Sequence, residues 1–216
     1  MLNNNEPQFT PVSELNYTPI TFDEIGSSAE RTAINSQYTQ SHGITFSGEG
    51  SNSCAPRLCK EGGSSSCSFS YQGGNDGPDK ADAAAPIKAP GRKWTPNFLG
   101  MNSKCTLVID FAEPTTKFSF DILDIDTAGS DNEAWKVETF NNGQLVGTAI
   151  TVNRAYINSI YPNCRECGDG RSTPVNIERN QVINQIKVSH VGNDTSFGLG
   201  FDNFTPPTLF QMIQIL

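Results

Sequence analysis

The chain has 216 residues, of which 36% are hydrophobic and 18% charged, and its formal net charge is −8. That length suits a single domain able to remove about 70% of its unfolded surface from water. The charge is too sparse for a chain that stays unfolded by self-repulsion, and no run of roughly 18 apolar residues is present to cross a membrane as a helix. The acidic balance repels phosphate backbones, so nucleic acid is disfavoured as a partner.

In chain order, residues 1–17 read as an irregular arm. Short apolar runs then alternate with turn clusters. Strands are predicted at Ile20 to Phe22, Gly43 to Ser47, Ser68 to Tyr71, Cys105 to Phe111, Lys117 to Ile125, Trp135 to Phe140, Leu145 to Val152, Val175 to Ile177, Ile183 to Val191 and Ser196 to Phe204. A helical turn is expected near Ser28 to Asn35. Trp135, Val137 and Thr139 share one face of their strand and Lys136 and Glu138 the other, the period of a half-buried strand. Asn142-Gly143 between two such runs reads as a tight hairpin turn. No segment sustains a long helical period. Many short strands rich in Gly and Asn turns predict an all-β fold, an antiparallel sandwich of jelly-roll type. The expected organisation is an arm at 1–17, one sandwich domain at 18–205 with a long loop insertion at 48–100, and a tail at 206–216. Within the insertion, residues 73–92 lack apolar periodicity and are too long for a hairpin loop.

Six cysteines, Cys54, Cys59, Cys67, Cys105, Cys164 and Cys167, form an even set in a chain rich in Asn, Ser and Gly. This suits disulfides and an oxidising, extracellular or cell-surface compartment. Fifteen pairings are open. Zinc held by CAPRLC and CREC is the rival reading; it is weakened because the two spacings differ and no His lies nearby. Free buried thiols are a third. The start Met-Leu-Asn-Asn-Asn-Glu has neither the basic residues nor the apolar run of a signal peptide, so export rests on the cysteines.

Carboxylates gather at strand ends. In Phe118 to Asp126 the apolar parity flips after Ile122, which implies a bulge or a strand buried on both faces. Buried Asp residues are costly unless solvated, paired or bound to a cation. A second parity break falls at Asp202-Asn203, and Phe22-Asp23-Glu24 forms a third acidic end. Calcium, which takes six to eight hard oxygen ligands, is the expected cation, with Asp23, Glu24, Asp124, Asp126 and Asp202 as candidate ligands. The alternative is that these carboxylates cap turns without metal. For sugar binding, Trp94, Tyr156 and Tyr161 are the candidate stacking platforms. Leu123-Asp124-Ile125-Asp126 resembles the Glu-x-Asp-x-Glu strand of laminarinase-like glycosidases. The nucleophile position of that motif is Ile122 here, which removes the retaining mechanism. His42 and His190 sit in no nucleophile-base pattern, and no catalytic residue is assigned.

Ile20-Thr21-Phe22-Asp23-Glu24, Tyr38, Gly43-Ile44-Thr45-Phe46-Ser47, Asn97-Phe98-Leu99-Gly100, the Phe118 to Asp126 run and the final Gly200-Phe201-Asp202-Asn203-Phe204 occur in that order. The pattern resembles the secreted bacterial β-sandwich modules of exported and cell-surface proteins that carry PEP-CTERM sorting tails. Such a tail is missing after Pro206, and the cysteines are additional. The resemblance implies a jelly-roll-like, extracellular, non-catalytic module that binds carbohydrate or calcium. The leading expectation is therefore recognition of carbohydrate or matrix glycan. A structural subunit that assembles through its arm and apolar tail is the alternative, and a glycoside-cleaving enzyme the third.

Overall fold

The computed structural model describes residues 18–25, 31–50, 54–60, 97–102, 104–123, 125, 133–162, 172–192 and 198–205. Among them, nine strands join in one antiparallel sheet: β1 Ile44–Glu49, β2 Arg57–Lys60, β3 Asn97–Asn102, β4 Thr106–Leu123, β5 Trp135–Asn141, β6 Gln144–Leu145, β7 Ile150–Val152, β8 Ser172–His190 and β9 Gly198–Thr205. Two short helices, α1 Thr39–His42 and α2 Arg154–Ile160, complete the described elements with a 3-10 turn at Asp23–Ile25. Among the described residues, no helix is long and apolar enough to cross a membrane.

The sheet folds back on itself because its two longest strands bend. The register of β4 against β8 slips between Asp110 and Thr115 and again before Lys117. The first half of β4 pairs with β1 and with the end of β8, which in turn pairs with β5. Its second half pairs with the start of β8 and with β9, which carries β3 and then β2. The halves face one another: Phe46 of β1 meets Phe204 of β9 at 4.9 Å between ring centroids, and Phe111 meets Phe118 across the bend at 4.8 Å. This is the expected antiparallel sandwich.

Core residues follow strand parity. Ile44 and Phe46, then Leu107 and Ile109, then Ile186 and Val188, and finally Trp135 and Val137 fill one side. Phe118, Phe120, Ile122, Val175, Ile177, Phe201 and Phe204 fill the other. The first segment closes the far edge, where Ile20 and Phe204 exchange backbone hydrogen bonds of 2.9 and 3.1 Å. Phe22 holds φ at 62°, a left-handed conformation costly for a bulky residue. Its ring is fully buried against Tyr38, Phe46 and Phe204, which offsets a strain of about 1–3 kcal/mol.

Both parity breaks have a geometric origin. In β9, Asp202 pairs with Asp121 while Thr205 pairs with Ser119, so one extra residue stands on the β9 side. Asn203 takes it up at φ 54°, a conformation that Asn tolerates, and Phe201 and Phe204 both reach the core. In β4, Leu123 points away from the main core yet is only 2% exposed, in a second cluster with Cys59 and Phe98. The strand is thus buried on both faces at this end.

Several elements differ from the sequence reading. Cys105 to Phe111 and Lys117 to Ile125 are parts of one bent strand, as are Val175 to Ile177 and Ile183 to Val191. Leu145 to Val152 divides into β6 and β7. The insertion expected at 48–100 contributes β2 and β3 to the sheet. Residues 31–35 form a turn and a bridge from Ala33 to Arg57 instead of a helix, while α2 was not foreseen. The arm 1–17, the strand at Ser68 to Tyr71 and the tail 206–216 lie outside the described residues.

Candidate functional site

The outward positions of β1, β4, β8 and β5 form an ordered polar surface. Antiparallel register places Thr45, Asp110, Gln185 and Phe140 in one row across the four strands. Ser47, Val108, Lys187 and Glu138 make the next row, and Glu49, Thr106, Ser189 and Lys136 the third. All except Val108 are at least partly exposed. Adjacent strands lie about 4.8 Å apart, so a row spans roughly 14 Å, the reach of a short oligosaccharide.

These side chains hold one another in place. Gln185 donates from Nε2 to Asp110 Oδ1 at 2.8 Å. Lys187 Nζ reaches Glu49 Oε1 at 2.6 Å and stands 5.7 Å from the Phe140 ring centroid. On the way it crosses the strand carrying Val108, which is 3% exposed although it lies outside the core cluster. Lysine stems cover apolar surface in this manner. Lys136 pairs with Glu138 at 3.0 Å, and Thr45 shares a 2.9 Å hydroxyl contact with Thr39. Phe140 pairs across the hairpin with Leu145, which is 55% exposed. The hairpin turn uses Asn142 and Gly143 at φ 50° and 78°, as its sequence requires. Asn142 is anchored to β8 by reciprocal contacts with Asn184 at 2.9 and 3.0 Å.

The arrangement offers donors, acceptors and one aromatic ring on a preformed surface. None of these residues was a candidate from sequence. The only signal was polar parity within each strand, and the neighbours Asp110 and Gln185 are 75 residues apart.

The sequence candidates are distributed differently. Tyr156 lies on α2, whose first turn is capped by Asn153 Oδ1 accepting from the Tyr156 backbone at 3.1 Å. Its hydroxyl donates to the Pro174 carbonyl at 3.0 Å, and its ring packs against the core. Tyr161 is 8% exposed within the core cluster, its hydroxyl directed at the Ser172 carbonyl at 3.4 Å. These rings secure α2 against the start of β8. Trp94 lies outside the described residues.

Among the acidic candidates, Asp23 Oδ1 accepts from the Asn97 backbone at 3.3 Å. Glu24 accepts from the Tyr38 hydroxyl at 2.5 Å. Asp202, 1% exposed, accepts from the Asn203 backbone at 2.7 Å, and Asn203 Nδ2 donates to Asp121 at 2.9 Å. Burial first, then the hydrogen bond and charge of Glu24 and the charge of Asp202, push the Tyr38 phenol well above its ordinary range. Glu24 and Asp202 therefore both act on one phenol. Among the described residues, no three His, Cys, Asp or Glu side chains converge as a metal cage. Asp124 and Asp126 lie outside the described residues.

Cys54 and Cys105 form a disulfide, and Cys59 is disulfide-bonded as well. Gly48 is the complement of the first bond: a Cβ there would stand 1.7 Å from the Cys54 carbonyl oxygen. Cys67, Cys164 and Cys167 lie outside the described residues.

No family model matches the chain, and no curated protein matches it. Solved structures give distant likenesses. The CBM22-1 and GH10 modules of Clostridium thermocellum endo-1,4-β-D-xylanase 10B, complexed with xylohexaose, share 8% identity at a TM-score of 0.37, covering 94% of this chain and 30% of that one. TmCBM61, in complex with β-1,4-galactotriose, shares 11% at 0.36, covering 78% and 91%. The enzymatically active domain of tailspike protein 4 from bacteriophage CBA120 shares 8% at 0.36, covering 84% and 22%. The chain spans less than a third of the xylanase and tailspike chains. Values this low assign neither family nor ligand.

Proposed function

We propose that the protein is a non-catalytic extracellular module that binds carbohydrate on the outer face of β1, β4, β8 and β5. The observation that carries this reading is the row Thr45, Asp110, Gln185 and Phe140, in which a hydrogen-bonded carboxylate–amide pair stands beside an aromatic ring. Sugar hydroxyls exchange hydrogen bonds with such fixed polar groups, and the C–H face of a pyranose packs on a ring. The Cys54–Cys105 disulfide supports the extracellular part of the reading.

The test is affinity for a polysaccharide panel with single variants. Phe140→Ala and Asp110→Asn are each expected to weaken binding about tenfold, corresponding to about 1.4 kcal/mol, with little change in melting temperature. Trp94→Ala tests the other platform. Binding lost with Trp94→Ala and retained in both face variants would move the site to the loop.

A structural calcium ion belongs to the same proposal. Glu24 of the first segment and Asp202 of the last both act on the Tyr38 phenol, and Asp121 is the cross-strand neighbour of Asp202. Calcium takes hard oxygens of this kind; among the described residues these carboxylates do not by themselves close a cage, so Asp23, Asp124 and Asp126 are the further sequence candidates to complete it. At a calcium concentration a hundredfold above Kd, the ion is expected to add about 2.7 kcal/mol of stability. The measurement is thermal melting in chelator and in calcium. A melting temperature indifferent to both would remove the ion from the account.

A further inference from the structure

From the charge pairing on this face we infer that its ligand is a neutral glycan, not a uronate or sulfated one; the inference rests on the binding face proposed above. The three rows present five ionisable side chains, three carboxylates and two lysines. Both lysines are already committed: Lys187 to Glu49 at 2.6 Å and Lys136 to Glu138 at 3.0 Å. The third carboxylate, Asp110, is met by the neutral amide of Gln185. The surface therefore carries a surplus of one negative charge and no uncommitted cation among these positions.

An acidic polysaccharide would have to share a lysine with the carboxylate that already neutralises it, or displace that carboxylate, and would lie beside it either way. That repulsion costs Coulomb energy, and the chain's net charge of −8 adds a long-range penalty. No arginine stands in the three rows to give the bidentate grip that carboxylate or sulfate recognition favours. A neutral chain exchanges its hydroxyls for water at Thr45, Asp110 and Gln185 without moving a charge. A row of roughly 14 Å takes a short run of sugars.

The experiment titrates the whole protein with soluble xylan, galactan and mixed-linkage β-glucan, and in parallel with polygalacturonate and alginate, at about 20 and 500 mM NaCl. The expected result is binding to at least one neutral polymer, with affinity changing less than about twofold between the two salts, and none to the acidic polymers. Glu49→Gln, which releases Lys187, is expected to gain salt-sensitive binding to polygalacturonate. Wild-type binding to an acidic polymer that Asp110→Asn strengthens would overturn the neutral assignment and leave the face in place. So would neutral binding that falls steeply with salt, or a Glu49→Gln variant still unable to bind polygalacturonate. Absence of binding to every polymer, or binding insensitive to Asp110→Asn and Phe140→Ala, would overturn the face and the inference together.

Discussion

Phe204→Ala is expected to cost about 3–5 kcal/mol and to lower the melting temperature by about 10 °C. Phe204 is fully buried in the bulged strand β9 and has ring neighbours on both halves of the sandwich. Phe46 lies at 4.9 Å, Phe120 is stacked at 5.6 Å with planes 12° apart, and Phe22, Phe118 and Phe201 lie within 6.3 Å. Truncation leaves a cavity that five aromatic rings cannot fill without leaving their rotamers. The backbone bridge to Ile20 stays intact, so the loss reports packing. Phe204→Leu retains most of the volume and is expected to lose less. Chemical denaturation reads both. A loss below about 1 kcal/mol for the alanine variant would contradict the packing of two halves around this ring.

Removing the Cys54–Cys105 bond is expected to have a comparable effect. The bond spans 51 residues, and closing a loop of that length restricts the unfolded chain by about 4 kcal/mol. Both half-cystines are 2% exposed, so Cys54→Ala with Cys105→Ala exchanges a buried bond for two methyl groups and leaves no polar atom unsatisfied. The bond ties residue 54 to the start of β4, next to the Glu49–Thr106 end of the β1 pairing. The double variant should therefore melt about 10 °C lower. Equal stability of the two proteins in denaturant would show that the unfolded chain is already restricted without this bond.

Much of the architecture was legible because alternation is local. Trp135 to Phe140 shows its buried and exposed faces within six letters, and Asn142-Gly143 marks its own turn. The bends of β4 and β8 were not legible as bends. At Ala112 to Thr115 and at Arg179 to Val182 the apolar period stops, and a stop looks the same whether a strand ends or turns a corner. β2 and β3 are short pieces inside a segment rich in Ser, Gly and Pro, and only the pairing of β3 with β9 and of β2 with β3 makes them strands. The parity flip after Ile122 was visible, but whether it meant a bulge or double burial depended on Cys59 and Phe98, far away in sequence.

The candidate site was less legible for a related reason. Sequence reading favours residues with distinctive chemistry, and so it selected Trp94, the tyrosines and the clustered carboxylates. Tyr156 and Tyr161 instead spend their hydroxyls on β8 carbonyls and their rings on the core. The face of Thr45, Asp110, Gln185 and Phe140 is assembled from four ordinary residues on four strands. Its meaning lies in register, which no single strand records.

Amide chemical-shift mapping during titration with a bound neutral oligosaccharide tests the central claim most directly. The account predicts that the largest perturbations fall on residues 44–49, 106–110, 136–140 and 185–189, with the Gln185 side-chain amide among them. Perturbations concentrated instead around α2 and the start of β8, with those four stretches unmoved, would contradict it.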